Sequence, residues 1–172
     1  YGLEDPAING ADIASITSAI INDGQDHGGF LYTYAQVCFA MAEGHLRGWS
    51  GLAGDAQTWY ELGIASSHAQ WGVATADATA YLGSVAAVSM ETMAMEKWVA
   101  LWLQGYESWT EWRRLDYPND ISAPAAAISG TGIPVRHGYG AQTISNNKSN
   151  YDAAVALQGP DTQDTKLWWD TK

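Results

Sequence analysis

The sequence predicts an all-α protein, and three features carry that prediction. Apolar residues recur at helical spacing over long stretches, Gly, Ser and Asp punctuate the segments between them, and nothing resembles a strand-rich sheet. With 172 residues, 47% of them hydrophobic, the chain can bury about 70% of the surface that its unfolded form would expose. We therefore expect one helical domain with its own core.

Five helices are predicted in the first two thirds of the chain. They cover residues 11–22, 30–49, 56–71, 75–85 and 90–116. Asp55 is a favourable N-cap for the third helix and Thr75 for the fourth. Gly48 and Gly72 should end the second and third helices, and the short connection between these two favours an antiparallel pair.

The helix predicted over residues 90–116 would be the longest element, about 40 Å at 1.5 Å per residue. Tryptophan and one glycine recur in it at steps of four and three residues: Trp98, Trp102, Gly105, Trp109 and Trp112. This spacing places all five on one helix face, where packing in the core is the simplest interpretation. Tyr117-Pro118 should end the helix, because the residue before proline is pushed out of the helical region.

After Pro118 the composition shifts to Gly, Pro, Ser, Thr, Asn and Asp, which indicates a loop-rich tail. Within it we expect an extended piece at 133–137 and a helical turn at 151–157. Trp168 and Trp169 would be costly to expose, so the tail should be ordered.

Charge and composition exclude several classes of function. The net charge of −11 disfavours binding to nucleic acid or to an anionic membrane surface, and no run of about 18 apolar residues could form a membrane-spanning helix. A single cysteine excludes internal disulfides and a Cys-based zinc cage, and the four histidines lack zinc-ligand spacing. We expect no metal and no cofactor.

Two carboxylates one helical turn apart, Glu107 and Glu111, are the only pair that suggests an enzyme, a glycoside-processing one. Both would project from the same helix face, whereas glycoside hydrolysis needs carboxyls on either side of the scissile bond. Ion pairs between Glu111 and Arg114, and between Arg113 and Asp116, explain these residues better.

Aromatic side chains are the stronger signal for ligand binding, because their faces can stack on sugar C–H groups. Trp71, Tyr117 and Tyr139 lie beside Gly or Pro in predicted loops and are the candidate ligand contacts.

The motifs around the tryptophan stripe resemble a known family. The segments EKWVALW (96–102) and GYESWTEWRR (105–114), followed by Tyr117-Pro118, resemble the C-terminal signature of SusD/RagB-like outer-membrane nutrient-binding lipoproteins. The family's IP.R segment is matched by residues 133–136. Its Asn and Asn-Tyr positions are matched by Asn146 or Asn147 and by Asn150-Tyr151, and its Trp-Trp-Asp by Trp168-Trp169-Asp170. The match begins at about Phe30, and the chain departs from the family after Arg136, where His137-Gly138-Tyr139-Gly140 replaces an aromatic-proline turn.

The resemblance implies the C-terminal part of one SusD-like domain built from tetratricopeptide-like helical hairpins. In this interpretation residues 1–29 are a lead-in helix and loop, 30–116 the helical body and 117–172 the tail, and the N-terminal part of the protein is absent. The motif residues Trp98, Trp109, Arg113, Arg114, Trp168 and Trp169 are then architectural. The resemblance implies that the two arginines hold the tail on the helices and that Trp168 and Trp169 cover the tryptophan stripe.

The function that the resemblance implies is non-catalytic capture of an oligosaccharide or another nutrient at the cell surface. The partners would be a SusC-like TonB-dependent transporter and the remainder of the protein's own chain. The protein would be anchored to the outer membrane through a lipidated N-terminal cysteine outside this chain, since Cys38 lies in a predicted helix. Two alternatives stay open: a protein-interaction module that binds no sugar, and the less favoured glycoside-processing enzyme.

Overall fold

A computed structural model describes residues 30–123 and 132–171, and these residues form seven α-helices with no strand among them. The helices are α1 (Tyr34–Leu46), α2 (Ala56–Gln70), α3 (Thr75–Leu82), α4 (Met90–Ala100), α5 (Gly105–Leu115), α6 (Ala141–Asn146) and α7 (Lys148–Gln158). The all-α prediction is confirmed.

The helix predicted over residues 11–22 lies outside the described residues. The chain divides into two units, Tyr1–Tyr32 and Thr33–Lys172, and all seven helices belong to the second unit. None of the described helices has the length and apolarity needed to cross a membrane.

Side-chain caps determine where α1 and α2 begin. Thr33 and Gln36 form a capping box, in which each side chain accepts a hydrogen bond from the other residue's backbone N–H, at 3.3 Å to Thr33 and 2.7 Å to Gln36. This box starts α1 four residues later than the sequence predicts. Asp55 accepts from the backbone N–H of Thr58 at 3.0 Å, so the predicted N-cap of α2 is confirmed. The predicted cap at Thr75 is wrong, because Ala74 holds that position and makes no side-chain cap.

The hydrophobic core forms where α1 and α2 pack against each other and against α4. Its buried members come from α1, α2, α4 and α5: Ala35, Phe39, Ala42, Tyr60, Ile64, Met93, Ala94, Ala100 and Leu115. Gly63 of α2 lies directly over the Phe39 ring, where a Cβ atom would be only 2.9 Å from the ring carbons. The absence of a side chain at Gly63 therefore lets the two helices approach closely.

The single helix predicted over residues 90–116 is wrong, because α4 ends at Ala100 and α5 begins at Gly105. Between them Leu103 adopts a left-handed backbone conformation, with φ of 67°. The break brings Lys97 Nζ within 3.0 Å of the Glu111 carboxylate. In one continuous helix those residues would be roughly 21 Å apart along the axis, at 1.5 Å per residue. The tryptophan stripe consequently does not share one buried face, and Trp102 is 56% exposed.

The tail contains more helix than predicted, since α6 and α7 occupy the region where only a turn at 151–157 was expected. Residues 133–137 form no strand but run along α5. There the Trp109 indole N–H donates to the Pro134 carbonyl at 2.7 Å. The backbone N–H of Val135 donates to the carbonyl of Gln163 at 2.8 Å, which joins the two parts of the tail. Trp168 is 84% exposed, so the prediction that it covers the tryptophan stripe is wrong.

Candidate functional site

A cleft of about 770 Å³ opens between the end of α2, the end of α4 and the beginning of α5. We call it the Trp71 cleft. Its wall is largely apolar and includes Ser67, His68, Trp71, Trp98, Trp102 and Ser108. Its volume lies in the range of about 300–1,000 Å³ that is usual for small-ligand sites. Three indole rings in one such cleft are the arrangement that stacking on a flat, partly apolar ligand requires.

Helix ends place the three indoles in the cleft. Trp71 is the C-cap of α2, its backbone N–H donating to the carbonyl of Ser67 at 3.2 Å. Gly72 follows with φ of 70°, a conformation that glycine adopts without a Cβ clash, and turns the chain away. Trp98 belongs to the last turns of α4, and Trp102 lies in the break before α5. The ends of α2 and α4 therefore meet with their aromatic side chains facing the same space.

Polar groups in the wall of the Trp71 cleft can bind hydroxyl groups. His68 lies with its ring against Tyr81, the centroids 5.1 Å apart. Its buried Nδ1 atom has no hydrogen-bond partner within residues 30–123 and 132–171. Ser67 and Ser108 add polar atoms on opposite helices. A ligand that offers both apolar faces and hydroxyl groups would match the indole rings and the serine side chains.

A second cleft of about 640 Å³ lies on the other side of the α5 N-terminus. We call it the His137 cleft, and its wall includes Tyr106, Trp109, Pro134, Arg136, His137 and Gln163. The His137 ring centroid is 5.4 Å from that of Trp109 and 6.1 Å from that of Tyr106. This cleft lies between α5 and the IP.R segment of the tail, and Gly105 belongs to the walls of both clefts.

A buried ion pair holds the wall of the His137 cleft. Arg136 donates to Asp161 at 2.8 Å, and their side chains are 5% and 8% exposed. The backbone N–H of Tyr139 also donates to the Asp161 carboxylate, at 3.1 Å. One carboxylate therefore binds both ends of the segment that carries His137, which fixes the position of that ring.

The structure brings only one of the three predicted ligand contacts to a cleft. Trp71 lines the cleft named after it. Tyr117 is partly buried against the hydrophobic core, and no described cleft includes it. Tyr139 is 39% exposed and packs edge-on against Tyr151, with ring centroids 5.5 Å apart, outside both clefts.

The residues that the resemblance marks as architectural have different surroundings. The Arg113 guanidinium lies 3.7 Å from the Trp109 ring centroid and 5.1 Å from that of Trp169, and it donates to the Val135 carbonyl at 2.8 Å. Burial lowers the pKa of Arg113, and the charge of Asp170 opposes that effect. Arg113 thus contacts the tail on two sides.

Arg114 has a different role from the one implied. It binds the carboxylates of Glu43 in α1, at 2.6 Å, and of Glu111, also at 2.6 Å. It therefore joins α5 to α1, whereas the resemblance implied a contact with the tail. Trp98 and Trp109 line the two clefts, which the sequence did not predict for either ring.

Sequence reasoning missed His68, Trp102 and Tyr106 as cleft residues. The exposure of Trp102 and Tyr106 follows from the break at residues 101–104, and the interpretation of the tryptophans as one helical stripe hides that break. The adjacent residues Gln104-Gly105 were the available signal, because glycine is unfavourable within a helix and is better tolerated near its end.

The carboxylate pair considered for catalysis is not arranged for it. Glu111 accepts from Arg114 at 2.6 Å and lies 3.0 Å from Lys97 Nζ, while Glu107 is exposed and lines neither cleft. Within the described part of the chain, no three His, Cys, Asp or Glu side chains are grouped so that they could hold a metal ion.

The comparison with protein families decides the assignment. A family model described as starch-binding and associating with the outer membrane matches residues 2–140. The chain belongs to the SusD-like family. The resemblance drawn from the tryptophan and arginine motifs is thereby confirmed.

Solved structures agree with the SusD-like assignment. The Bacteroidetes AC2a SusD-like protein superposes with a TM-score of 0.76 at 30% identity, over 84% of this chain and 31% of that protein. A chitin-binding SusD homologue from Flavobacterium johnsoniae gives 0.69 at 26% identity, over 80% and 36% of the two chains. A SusD homologue from Bacteroides thetaiotaomicron gives 0.68 at 26%, over 80% and 37%. This chain thus spans about a third of the length of these proteins. No curated protein matches it.

Proposed function

We propose that this SusD-like chain binds an uncharged glycan in the Trp71 cleft and does so without catalysis. The observation that carries the proposal is the meeting of three indoles, Trp71, Trp98 and Trp102, in one cleft. The family description names starch binding, and one structural relative is named as chitin-binding. Both are neutral glycans, which suits a chain with a net charge of −11.

The chemistry of the cleft matches a sugar ring on two counts. Aromatic faces attract the C–H side of a pyranose through dispersion and removal of apolar surface from water. The Ser67 and Ser108 side chains offer hydrogen-bonding groups to hydroxyls at the edge of the ring. A purely apolar ligand would make no use of these hydroxyl groups.

The cellular setting is part of the proposal and rests on the family. The protein that contains this chain would lie at the outer surface of the outer membrane, held by a lipidated N-terminal cysteine. It would deliver the glycan to a SusC-like TonB-dependent transporter. Cys38 is not that anchor, because it is fully buried in α1.

Titration calorimetry with chitin and starch oligosaccharides tests the binding step. We expect Trp102→Ala to weaken binding about tenfold, since a well-placed aromatic contact contributes about 0.5–1.5 kcal/mol beyond the area it buries. Trp168→Ala is the matched control, because Trp168 is also exposed but lies in neither cleft. Equal losses in both variants would mean that the sugar does not bind in the Trp71 cleft, and no heat with any sugar at millimolar concentration would favour a protein-interaction module. Release of new reducing ends would favour an enzyme.

A further inference from the structure

We propose that the Trp71 cleft and the His137 cleft form one groove, in which a single oligosaccharide chain passes over Gly105 from one cleft into the other. This inference rests on the proposed function and adds a second subsite to it. The observation behind it is that Gly105 belongs to the walls of both clefts.

Gly105 leaves the passage between the clefts open. It is the first residue of α5, and a Cβ atom added there would meet nothing within 4 Å. Its backbone is not in the left-handed region, so glycine is not required there for the turn. Because Gly105 has no side chain, only its backbone separates the two clefts as a low ridge. A bulky side chain at this position would project into the space above the ridge.

Exposed aromatic rings lie on both sides of this ridge. Trp102 in the Trp71 cleft is 56% exposed and Tyr106 in the His137 cleft is 74% exposed. Large apolar rings exposed beside a cleft commonly mark a binding surface. Because successive sugar units present successive C–H faces, a row of separated rings suits a chain better than a single sugar.

The second cleft is built firmly enough to act as a subsite. The Trp109 indole is held by its hydrogen bond to the Pro134 carbonyl, and the segment carrying His137 is held by Asp161. Rigid contacts lower the entropy that binding must overcome. The charge of Arg136 is compensated by Asp161, so the cleft does not demand an anionic ligand. The ligand class is therefore a neutral oligosaccharide longer than a disaccharide.

A length series of chitin oligosaccharides, titrated into the full chain by calorimetry, tests the continuous groove. The wild-type affinity should rise about tenfold or more from the disaccharide to the hexasaccharide, because only the longer ligand fills both clefts. Gly105→Phe should abolish this gain, so that the hexasaccharide binds no more tightly than the disaccharide, and Gly105→Ala is the matched control. Tyr106→Ala should also reduce the gain from disaccharide to hexasaccharide, which gives a second test that does not alter the ridge.

The outcomes separate this inference from the proposed function. If both ligands bind with equal affinity and Trp102→Ala weakens both, the Trp71 cleft binds sugar but the groove is not continuous. If Gly105→Phe, folded by circular dichroism, keeps the full affinity for the hexasaccharide, the passage over Gly105 is refuted. If no saccharide binds at all, both proposals fail.

Discussion

Glu43 is the residue on which three helices converge. Its carboxylate accepts from Arg47 at 2.8 Å and from Arg114 of α5 at 2.6 Å, and it lies 3.9 Å from Lys97 Nζ of α4. Burial by itself raises the pKa of Glu43, but hydrogen bonds from Arg114 and Arg47, with the charges of Arg114 and Lys97, outweigh burial and lower the pKa to about 2. The ionised carboxylate therefore stabilises the packing of α1 on α4 and α5.

Replacing this carboxylate should destabilise the fold in a pH-dependent manner. We expect Glu43→Gln to lower the free energy of unfolding by about 3 kcal/mol at neutral pH, since it removes one of the two carboxylates that neutralise the buried Lys97 and the partly buried Arg114. This loss of unfolding free energy is at the low end for a broken buried ion pair, because Glu111 still binds Lys97 and Arg114. The folded pKa is below the ordinary value of 4.5. The stabilisation is thus present above pH 4.5 and is lost as the pH falls towards 2.

Urea unfolding of wild type and variant at neutral and acid pH measures this effect. Glu107→Gln is the control, because Glu107 is exposed and should change stability by less than about 0.5 kcal/mol. If the loss of unfolding free energy in Glu43→Gln stayed constant down to pH 2, side-chain packing and not charge would be responsible for it.

At the scale of elements, the α1–α2 pair depends on a close approach at one position. Gly63 faces the Phe39 ring, which is fully buried, and Phe39 meets Tyr60 edge-on with ring centroids 6.4 Å apart. The ring is confined on both sides, so it cannot shift to admit a methyl group. Packing of this density tolerates little added volume.

Gly63→Ala should accordingly destabilise the protein, although alanine is the better helix former. The expected loss is about 1–3 kcal/mol in urea unfolding, the usual cost of overpacking a core. Gly105→Ala is the matched control: it also adds one methyl to a helical glycine, but in open space, and should be neutral or slightly stabilising. Unchanged stability in Gly63→Ala would show that the Phe39 ring has room to move.

The elements that the sequence predicts well are those set by neighbouring residues. Asp55 caps α2 through Thr58, and Gly72 turns the chain after Trp71, so local chemistry alone locates that helix. The break between α4 and α5 is different, because contacts such as the pair between Lys97 and Glu111 form only when the two helices lie side by side. A periodic stripe of tryptophans carries no information about that contact.

The candidate site was predictable to the same extent. Trp71 could be found because a glycine turn follows it directly. Tyr117 follows the same local rule but packs against the core, and only the folded chain shows that difference. His68 and Trp102 line the same cleft although they lie 34 positions apart in the sequence, so no local pattern connects them.

At the scale of the whole molecule, acidic groups outnumber basic ones and several cations are already engaged. The chain carries 19 acidic and 8 basic side chains. Arg136 is compensated by Asp161, and Arg114 by Glu43 and Glu111. Neither of these arginines is left to attract an anionic ligand, so the field that a ligand meets on approach is negative.

This charge distribution predicts how ionic strength affects glycan binding. The affinity for a neutral chitin or starch oligosaccharide should change by less than about twofold between low and high salt, because no charge on the ligand is screened. A polyanionic glycan, such as a sulfated or uronic acid polymer, should bind more weakly at low salt than at high salt, since salt screens the repulsion from a surface with net charge −11. Affinity electrophoresis in gels containing each polymer measures both trends, and Trp102→Ala in the same gels reports whether any retention arises in the Trp71 cleft.

Stronger retention by the acidic polymer at low salt would mean that a cationic surface binds the glycan, and the neutral-glycan assignment of the cleft would then be wrong. Retention of neutral polymers alone, lost in Trp102→Ala and indifferent to salt, is the pattern that aromatic stacking requires.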